Sequence, residues 1–402
     1  MSTRVPILML LLLSLALWGC GTAPAAPVAP AAPTAPADLA SVQQAFAATY
    51  ADIVYASYVD SLTTAQILRE ALYALVANPS PATHQAAQQA WLAAQEPYGQ
   101  TEVYRFYGGP IDGEGGPEAL LNSWPLDEVF VDYVAGDPQA GIINNPEQYP
   151  EITRELLLEL NQVDSEESVT TGYHAIEFLL WGQDFNADGP GDRADTDYVV
   201  GGPAANPERR AAYLLATADL LVEHLEQLVA AWEPNQPDNY RTAFLALPPA
   251  ESTRNILTGM GVLSKSELAG ERIFTALDNQ DQEDEHSCFS DNTHRDIITN
   301  AQGIRNVYLG SYTRRDGSVV AGTGLQDVVA LVDPDLNERV LALSEQVQAA
   351  VEAIHVPFDQ GIVLANTRPQ VLDTVYLLQD QGDAFAEIAT ALGIQINTAL
   401  PE

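Results

Sequence analysis

The amino-acid sequence predicts an all-α protein made of helix bundles, with long ordered loops and one small β-hairpin. Beyond residue 38 the apolar side chains recur mostly at the spacing of amphipathic helices, and signals for β-strands are few. Hydrophobic residues make up 47% of the 402 residues and charged residues 18%, so the chain can bury a sizeable core. We therefore expect a folded helical protein that follows a short N-terminal leader.

The leader begins with a predicted signal peptide at residues 1–19. Arg4 precedes the apolar run at 5–18 (VPILMLLLLSLALW), which is too short to span a bilayer comfortably. Cys20 follows a glycine at the end of this run and resembles the lipobox cysteine at which bacterial lipoproteins are cleaved and acylated. The alternative is an ordinary secretory signal with an incidental cysteine. On the first interpretation, residues 20–37 are a lipidated cysteine and an Ala/Pro-rich tether.

Helical patterns follow in order along the rest of the chain. One broad apolar stripe covers 214–232, and Asp333-Pro334 gives a start signal because proline is tolerated in the first turn of a helix. The best strand signals are Val307–Tyr312 and Val319-Val320, since Asp316-Gly317 between them favours a tight hairpin turn. Further stripes predict helices at 40–77, 81–96, 151–162, 250–278, 335–354 and 368–392.

Two loop-rich segments divide the chain. Residues 107–118 and 183–207 are dense in Gly, Pro and Asp, and two bundles of similar size would fit the lengths that they separate. We therefore expect an N-terminal bundle at 38–203 and a C-terminal bundle at 204–402.

The charge balance excludes several classes of partner. The chain has 55 Asp and Glu against 17 Lys and Arg, which gives a net charge of −38. Nucleic-acid binding needs a basic surface, and this chain has no basic stripe, so we expect no nucleic-acid partner. Anionic membrane surfaces are disfavoured for the same reason, so we expect contact with a membrane only through the lipid anchor. A surface this acidic attracts cations.

His174 and Glu177 form the first candidate metal site. They lie three residues apart in the apolar stretch 172–181 (GYHAIEFLLW), so on a helix they share one face and can reach a common cation. Neither residue type is expected in a buried helix unless it is paired or coordinating. The alternative is that the two side chains satisfy one another or a neighbouring backbone group.

A second candidate cluster lies at 278–296 (DNQDQEDEHSCFSDNTHRD). Glu283 stands three residues before His286, and Asp291 three before His294, a spacing used for metal sites in helix bundles. The alternative is a solvated acidic face. Imidazole with carboxylates suits iron, zinc, copper or manganese, and the pattern does not choose among them.

The segment after the first candidate site resembles an EF-hand calcium loop. Its glycine stands at the sixth position, as in such loops, but an aspartate replaces the usual glutamate at the twelfth. The alternative is that these residues only form turns. The candidate calcium ligands are Asp184, Asn186, Asp188, Asp192 and Asp195.

The remaining histidines and tryptophans are expected to be structural. We interpret His84, His224 and His355 as surface or packing residues. We likewise place Trp91, Trp124 and Trp232 in the hydrophobic core.

Longer motifs resemble the imelysin family, in its iron-regulated protein A branch. Gly172–Glu177 matches the family's G-x-H-x-x-E motif, and the resemblance extends from about residue 40 to 395. The other matching motifs are QTEVYRFYGGPID (100–112), SWPLDE (123–128), ILTGMG (256–261), ELAGER (267–272) and DQEDEHSCFSDNTHRDI (281–297).

The resemblance implies a helical fold of two bundle-like halves, export in bacteria as a lipoprotein or periplasmic protein, and a role in handling iron or another metal. In related domains of iron-uptake systems the H-x-x-E pair is the presumed metal site. This implies that His174 and Glu177 are ligands, and the first motif adds Glu102 and Arg105. The family is also classed with metallopeptidases because of an insulin-cleaving member.

Two functions from different classes therefore remain open. The first is a metal-binding protein of iron acquisition, which takes up a metal ion or a metal chelate and meets a transport partner of the inner or outer membrane. Its candidate ligands are His174, Glu177, Glu102, Glu283 and His286, with Arg105, Asp291 and His294 around them.

The second is a zinc peptidase, in which three protein ligands leave one position for an activated water molecule. The chain has no H-E-x-x-H, but a distant third histidine such as His286 would be compatible with the H-x-x-E pair.

Overall fold

A computed structural model describes residues 38–401, all of which fall in one structural unit. The predicted signal peptide, Cys20 and the Ala/Pro-rich tether lie outside the described residues. Helices from both predicted bundles occur within this unit, and the division between residues 203 and 204 stays a prediction. None of the helices between residues 38 and 401 combines the length and apolar character needed to cross a membrane.

The prediction of an all-α fold with one small hairpin is confirmed. Each predicted apolar stripe contains a helix, and the stripe at 250–278 contains two α-helices joined by a π-helix at Leu263–Phe274. Short 3-10 segments cover Gly99–Tyr104, Asp195–Tyr198 and Gln282–Asp284. In the described part of the chain the α-helices are α1 Leu39–Ala77, α2 Pro81–Tyr98, α3 Glu118–Leu121, α4 Glu128–Val131, α5 Gly141–Asn144, α6 Arg154–Leu160, α7 Gly172–Trp181, α8 Pro207–Trp232, α9 Tyr240–Leu245, α10 Pro249–Val262, α11 Thr275–Asn279, α12 Thr293–Leu309, α13 Leu325–Val332, α14 Pro334–Glu352, α15 Phe358–Val363 and α16 Arg368–Ala391.

The hairpin is shorter than predicted. Strands β1 (Ser311–Thr313) and β2 (Val319–Ala321) pair antiparallel. The prediction that the first strand begins at Val307 is wrong, because that residue belongs to the last turn of α12. Gly310 ends this helix with a φ of 67°, a left-handed conformation that glycine adopts without strain.

The long helix α1 organises the core. It packs against α2, α8 and α10, and its buried side chains recur every three or four residues. Tyr50 on α1 contacts the rings of Tyr104, Trp232 and Phe244 at centroid distances of 5.6 to 5.9 Å. Helix α7 lies behind this layer, against α2 and α8, and is buried along its whole length.

Candidate functional site

Helix α7 carries His174 and Glu177 into the interior. Gly172 begins the helix with a φ of 88°, and a Cβ atom there would lie 2.4 Å from the carbonyl oxygen of Leu121. The glycine therefore allows close packing that fixes the start of α7. His174 and Glu177 are both almost fully buried, as the apolar sequence around them predicts.

The two side chains bond to each other. Nδ1 of His174 lies 2.8 Å from Oε2 of Glu177, while Oε1 of Glu177 accepts hydrogen bonds from the backbone N–H and the hydroxyl of Ser290 at 3.0 and 2.7 Å. Both oxygens of Glu177 are thus occupied. Nε2 of His174, in contrast, has no hydrogen-bond partner among residues 38–401. The alternative, that His174 and Glu177 satisfy each other's hydrogen bonding, therefore accounts for Nδ1 of His174 but not for its Nε2.

His286 comes from the other predicted bundle and meets His174. Their ring centroids are 4.6 Å apart, with the planes at 85°. Nδ1 of His286 lies 2.8 Å from Oδ2 of Asp296, and Asp296 also accepts from Ser287 and Asn292. The centre thus contains two buried His–carboxylate pairs. Because an ionised carboxylate only accepts, each imidazole donates its Nδ1 proton to the carboxylate beside it, and its Nε2 is directed away from that pair.

Burial controls the protonation of these groups. Burial, together with the positive charge of Arg272 and the nearby His174, holds the pKa of His286 well below its usual value. The imidazole of His286 is therefore neutral at pH 7, the form that binds metals. Burial raises the pKa of Glu177, and the hydrogen bonds from His174 and Ser290 oppose this effect.

The carboxylate-x-x-His spacing at 281–294 would need one helix to bring its side chains together, and the structure forms none through this stretch. Gln280 ends α11 in the left-handed conformation, a 3-10 turn follows, and α12 begins only at Thr293. Asp281 accepts a hydrogen bond from the backbone N–H of Glu283, a local bond that competes with helix formation. The three-residue spacing therefore brings neither Glu283 to His286 nor the carboxylate of Asp291 to an imidazole.

The other members of the second cluster lie elsewhere. His294 is on the first turn of α12, where Nδ1 lies 3.1 Å from the backbone oxygen of Asp291. Glu283 lines a separate pocket with Asp184 and Asp359. The structure thus brings His286 to His174 but leaves Glu283, Asp291 and His294 outside the two His–carboxylate pairs.

Glu102 approaches the centre through Asn122. Nδ2 of Asn122 donates to Oε1 of Glu102 at 3.3 Å and lies 3.4 Å from Nε2 of His286. Oε2 of Glu102 accepts from Arg105 and Arg272, both at 2.7 Å. Arg105 thus bonds to a carboxylate near the site. Burial alone would raise the pKa of Glu102, but Arg272 and Arg105 outweigh it and lower the pKa to about 2.

A solvent-accessible pocket of about 380 Å³ reaches His286. The ring of Trp124 stands 5.7 Å from that of His286, and its indole N–H donates to the carbonyl of Glu285 at 2.6 Å. The placement of Trp124 in the core is therefore wrong, since it is partly exposed at the pocket wall, whereas Trp91 and Trp232 are fully buried. The indole N–H needs a polar partner, which the turn before His286 supplies.

The other three histidines do not join the site. His84 and His224 are buried, and Nε2 of His84 lies 2.8 Å from the carbonyl oxygen of Leu180, as expected for a packing residue. His355 is partly exposed and lies near Gln360.

The predicted calcium loop runs between α7 and the next 3-10 segment. Asn186 is used inside the loop, because its amide donates to a loop carbonyl at 2.7 Å. Asp188 and Asp192 are exposed, and Asp195 already begins the 3-10 segment. Asp184 is buried. Within residues 38–401, no group of three or more His, Cys, Asp or Glu side chains is arranged to hold a metal ion, so metal and calcium binding stay predictions.

Sequence reasoning missed Asn122, Arg272 and Asp296. The last two stand inside motifs that carried the family resemblance, ELAGER and the stretch at 281–297, and Asn122 directly precedes SWPLDE. Their position inside or beside these motifs was the sequence signal that could have identified the three residues. Which carboxylate or imidazole each residue would meet depends on contacts between distant segments.

Comparison with known proteins agrees with this fold. The family model described as Imelysin matches residues 54–384. A protein of Synechococcus elongatus named iron-regulated protein A is 28% identical over 329 residues, which are 80% of this chain and 78% of that protein.

Two solved structures share the fold. One, from Parabacteroides distasonis and described as an iron-regulated protein A precursor, has a TM-score of 0.67 at 19% identity. The other, an imelysin-like protein from Psychrobacter arcticum, has a TM-score of 0.63 at 13% identity. Each likeness covers 89% of this chain and 98% of the other. The resemblance predicted from the motifs is thereby confirmed.

Proposed function

The chain belongs to the imelysin family, and from that premise we propose that it binds a transition-metal ion through the imidazoles of His174 and His286. Iron is the first candidate, because the Synechococcus relative is named an iron-regulated protein. Neutral imidazole also suits zinc and copper. The ion, free or as a chelate, is the cargo of the protein in iron acquisition or homeostasis.

The free Nε2 of His174 is the observation that carries this proposal. A buried polar atom without a partner destabilises the fold by about 1–3 kcal/mol, and a ligand there would remove that penalty. In metal sites, a ligating histidine usually gives its second ring nitrogen to a carboxylate, which fixes the ring. Glu177 and Asp296 already bond to Nδ1 of the two histidines in this way.

These contacts revise the expected ligand set. Glu177 was expected to be a ligand, but both of its oxygens are engaged by His174 and Ser290, so we assign it the role of orienting His174. Glu102 is separated from His286 by Asn122, and we assign it to the support of the pocket wall. Neither residue has to donate directly to the ion.

The pocket favours the approach of a cation. Four carboxylates and two guanidinium groups line it, and the net negative charge raises the local concentration of cations. His286 is one of the residues that line this pocket, whereas His174 is not. We infer that an ion meets His286 first. The charged lining residues are Glu118, Glu166, Glu267, Glu271, Arg105 and Arg272.

The location of the protein is part of the proposal. We propose export by the signal peptide at 1–19, acylation at Cys20, and display on the tether at 21–37 in the bacterial cell envelope. Delivery of the ion to a transport protein of the inner or outer membrane would follow. Mass spectrometry of the mature N-terminus tests the acylation, and an unmodified Cys20 would overturn it.

A zinc peptidase receives less support from the geometry. Such a site needs three protein ligands and a further group to activate water. Here Glu177 and Asp296, the carboxylates beside the two histidines, are taken up by hydrogen bonds. The peptidase therefore remains the alternative, and chelator-sensitive cleavage of a peptide library would favour it.

Metal analysis of the full chain tests the proposal. Protein purified without chelators and exposed to Fe(II), Zn(II) or Cu(II) should retain about one ion per chain. His174→Ala and His286→Ala should each abolish retention, while circular dichroism remains that of the wild type. His355→Ala is the matched control, because this histidine lies outside the site, and it should retain the ion. Unchanged metal content in both site variants would overturn the assignment.

A further inference from the structure

Five carboxylates from three segments of the chain lie near one another, beside the turn that carries His286. We call them the acidic cluster: Asp184, Glu283, Glu285, Asp291 and Asp359. Two amide contacts bind the segments together, since Gln282 donates to the carbonyl of Asp184 at 2.7 Å and Gln360 to that of Ala187 at 3.0 Å. The cluster thus joins the loop after α7, the turns before α12 and the first turn of α15.

Glu285 is the most unusual member of the acidic cluster. It is 1% exposed, and neither carboxylate oxygen has a hydrogen-bond partner in the part of the chain that the structure describes. The side chain of Thr293 is the neighbouring polar group that opposes the effect of burial on the pKa of Glu285. Asp359, Asp291 and Asp184 are the carboxylates whose charge acts on Glu285.

Asp359 repeats this pattern. It is 4% exposed, and its Oδ1 has no partner within residues 38–401. No Lys or Arg in the described residues forms a salt bridge with a member of the acidic cluster, and the imidazole of His355 acts on Asp359. Burial and the neighbouring carboxylates raise the pKa of Asp184 to about 6 and that of Asp291 to about 7.

An unpaired carboxylate in this setting requires a compensating partner. Burying an ionised carboxylate is costly unless it is paired or bound to a metal. Protonation of Glu285 would remove the charge, yet its two oxygens would still lack hydrogen bonds. A cation between the carboxylates would satisfy both requirements.

We propose that the acidic cluster binds a calcium ion, with Asp184, Glu285, Asp291 and Asp359 as its oxygen ligands. An all-oxygen set favours calcium over the transition metals. A pocket of about 440 Å³, lined by Asp184, Glu283 and Asp359, connects the cluster to solvent. The carboxylates do not yet surround a common point, so binding draws the side chains together and water completes the shell, which the flexible coordination of calcium permits.

This site replaces the loop predicted from the sequence. Asp184 is retained from that loop, whereas Asp188, Asp192 and Asp195 are not needed. The calcium ion would brace the turn that carries His286, because Glu285 is its neighbour in the chain. The proposal stands on the acidic cluster alone and does not require a transition metal at His174.

Calcium titration of the full chain tests the proposal. The chain is freed of metals with EDTA and transferred to chelator-free buffer, and CaCl₂ is added with isothermal calorimetry and thermal unfolding as readouts. We expect one calcium ion per chain and a rise in the unfolding temperature. Mg²⁺ at the same concentration should give a smaller rise, because it demands a more regular octahedron. Absence of the rise with calcium, or an equal rise with Mg²⁺, would overturn the proposal.

Two isosteric variants locate the ion. Glu285→Gln and Asp359→Asn should each weaken calcium binding at least tenfold. In EDTA neither should unfold at a lower temperature than the wild type, since each replaces a buried carboxyl group that has an unpaired oxygen with an amide of the same size. Glu70→Gln, an exposed carboxylate on α1, is the control and should bind as the wild type does. Wild-type affinity in both cluster variants would contradict the assignment. His174→Ala should keep calcium, which separates this test from that of the transition-metal site.

Discussion

Replacing Glu102 by glutamine tests whether the ion pairs behind the pocket stabilise the protein. Glu102 is 1% exposed and receives hydrogen bonds from Arg105, Arg272 and Asn122. Glutamine keeps the size of the side chain but removes its charge, so two buried guanidinium groups lose a common partner. The positive charges would then be compensated by Glu267, which pairs with both arginines, and by Glu118, which pairs with Arg105.

The expected loss of unfolding free energy can be obtained in two ways. At 1.36 kcal/mol per pKa unit, a fall in the pKa of Glu102 from 4.5 to about 2 corresponds to about 3 kcal/mol. Removal of one partner from a buried ion pair generally destabilises a protein by about 3–5 kcal/mol. Both routes predict that Glu102→Gln lowers the free energy of unfolding by about 3 kcal/mol at pH 7.

The dependence on pH has a definite sign. Because the pKa of Glu102 is lower in the folded state, its stabilisation is present above pH 4.5 and is lost as the pH falls toward 2. The difference between wild type and Glu102→Gln should therefore be constant from pH 7 to about 5.5 and shrink below 4.5.

Urea unfolding in EDTA, followed by circular dichroism, measures this difference. Glu96→Gln is the matched control, because Glu96 also pairs with an arginine, Arg295, but its side chain is 45% exposed. Exposed pairs contribute about 1 kcal/mol or less, so the control should change little. If Glu102→Gln lost no more stability than Glu96→Gln, the argument that burial makes this network important would be refuted.

Three further predictions concern the site and its surroundings. Gly172→Ala should lower the free energy of unfolding by at least about 2 kcal/mol, because its φ of 88° and the carbonyl of Leu121 exclude a Cβ atom; Gly270→Ala, in open space, is the unfolding control. Asp296→Asn should weaken iron binding in a competition titration by about 10–100-fold without loss of helicity, since the residue orients His286; wild-type affinity would contradict this role. Burial and neighbouring glutamates hold the pKa of Cys288 well above its usual value, so at pH 8 a disulfide reagent should modify it at least about tenfold more slowly than in the urea-unfolded chain.

The sequence predicted the helices well because their evidence is local. The amphipathic stripes of α1, α8, α14 and α16 are visible residue by residue. The same reasoning failed at 281–292, where the chain forms turns. A carboxylate and a histidine three residues apart share one face only on a helix. In these turns the acidic side chains bond to nearby backbone N–H groups, as Asp281 does, and favour turns.

The site itself was predicted in part. His174 and His286 were both candidates, and burial of the stretch around His174 was expected from its apolar neighbours. Arg272 shows why the rest was missed. It lies five residues after Glu267, a spacing that separates side chains on an α-helix, but the π-helix brings them together and Arg272 donates to Glu267 at 2.8 Å. A change of helix type cannot be read from apolar periodicity.

The arrangement of the two histidines also explains the H-x-x-E spacing. On α7 that spacing lets Glu177 bond to the ring of its own helix neighbour, and Ser290 from the distant turn occupies the remaining oxygen. The same turn presents His286 to His174, so one set of contacts both orients the first imidazole and delivers the second. Nε2 of His174 is left unpaired inside the core, beside the ring of His286. A buried histidine can lack a partner for other reasons, as Nδ1 of His224 does, so the argument for a ligand rests on the unpaired Nε2 together with the second His–carboxylate pair that faces it.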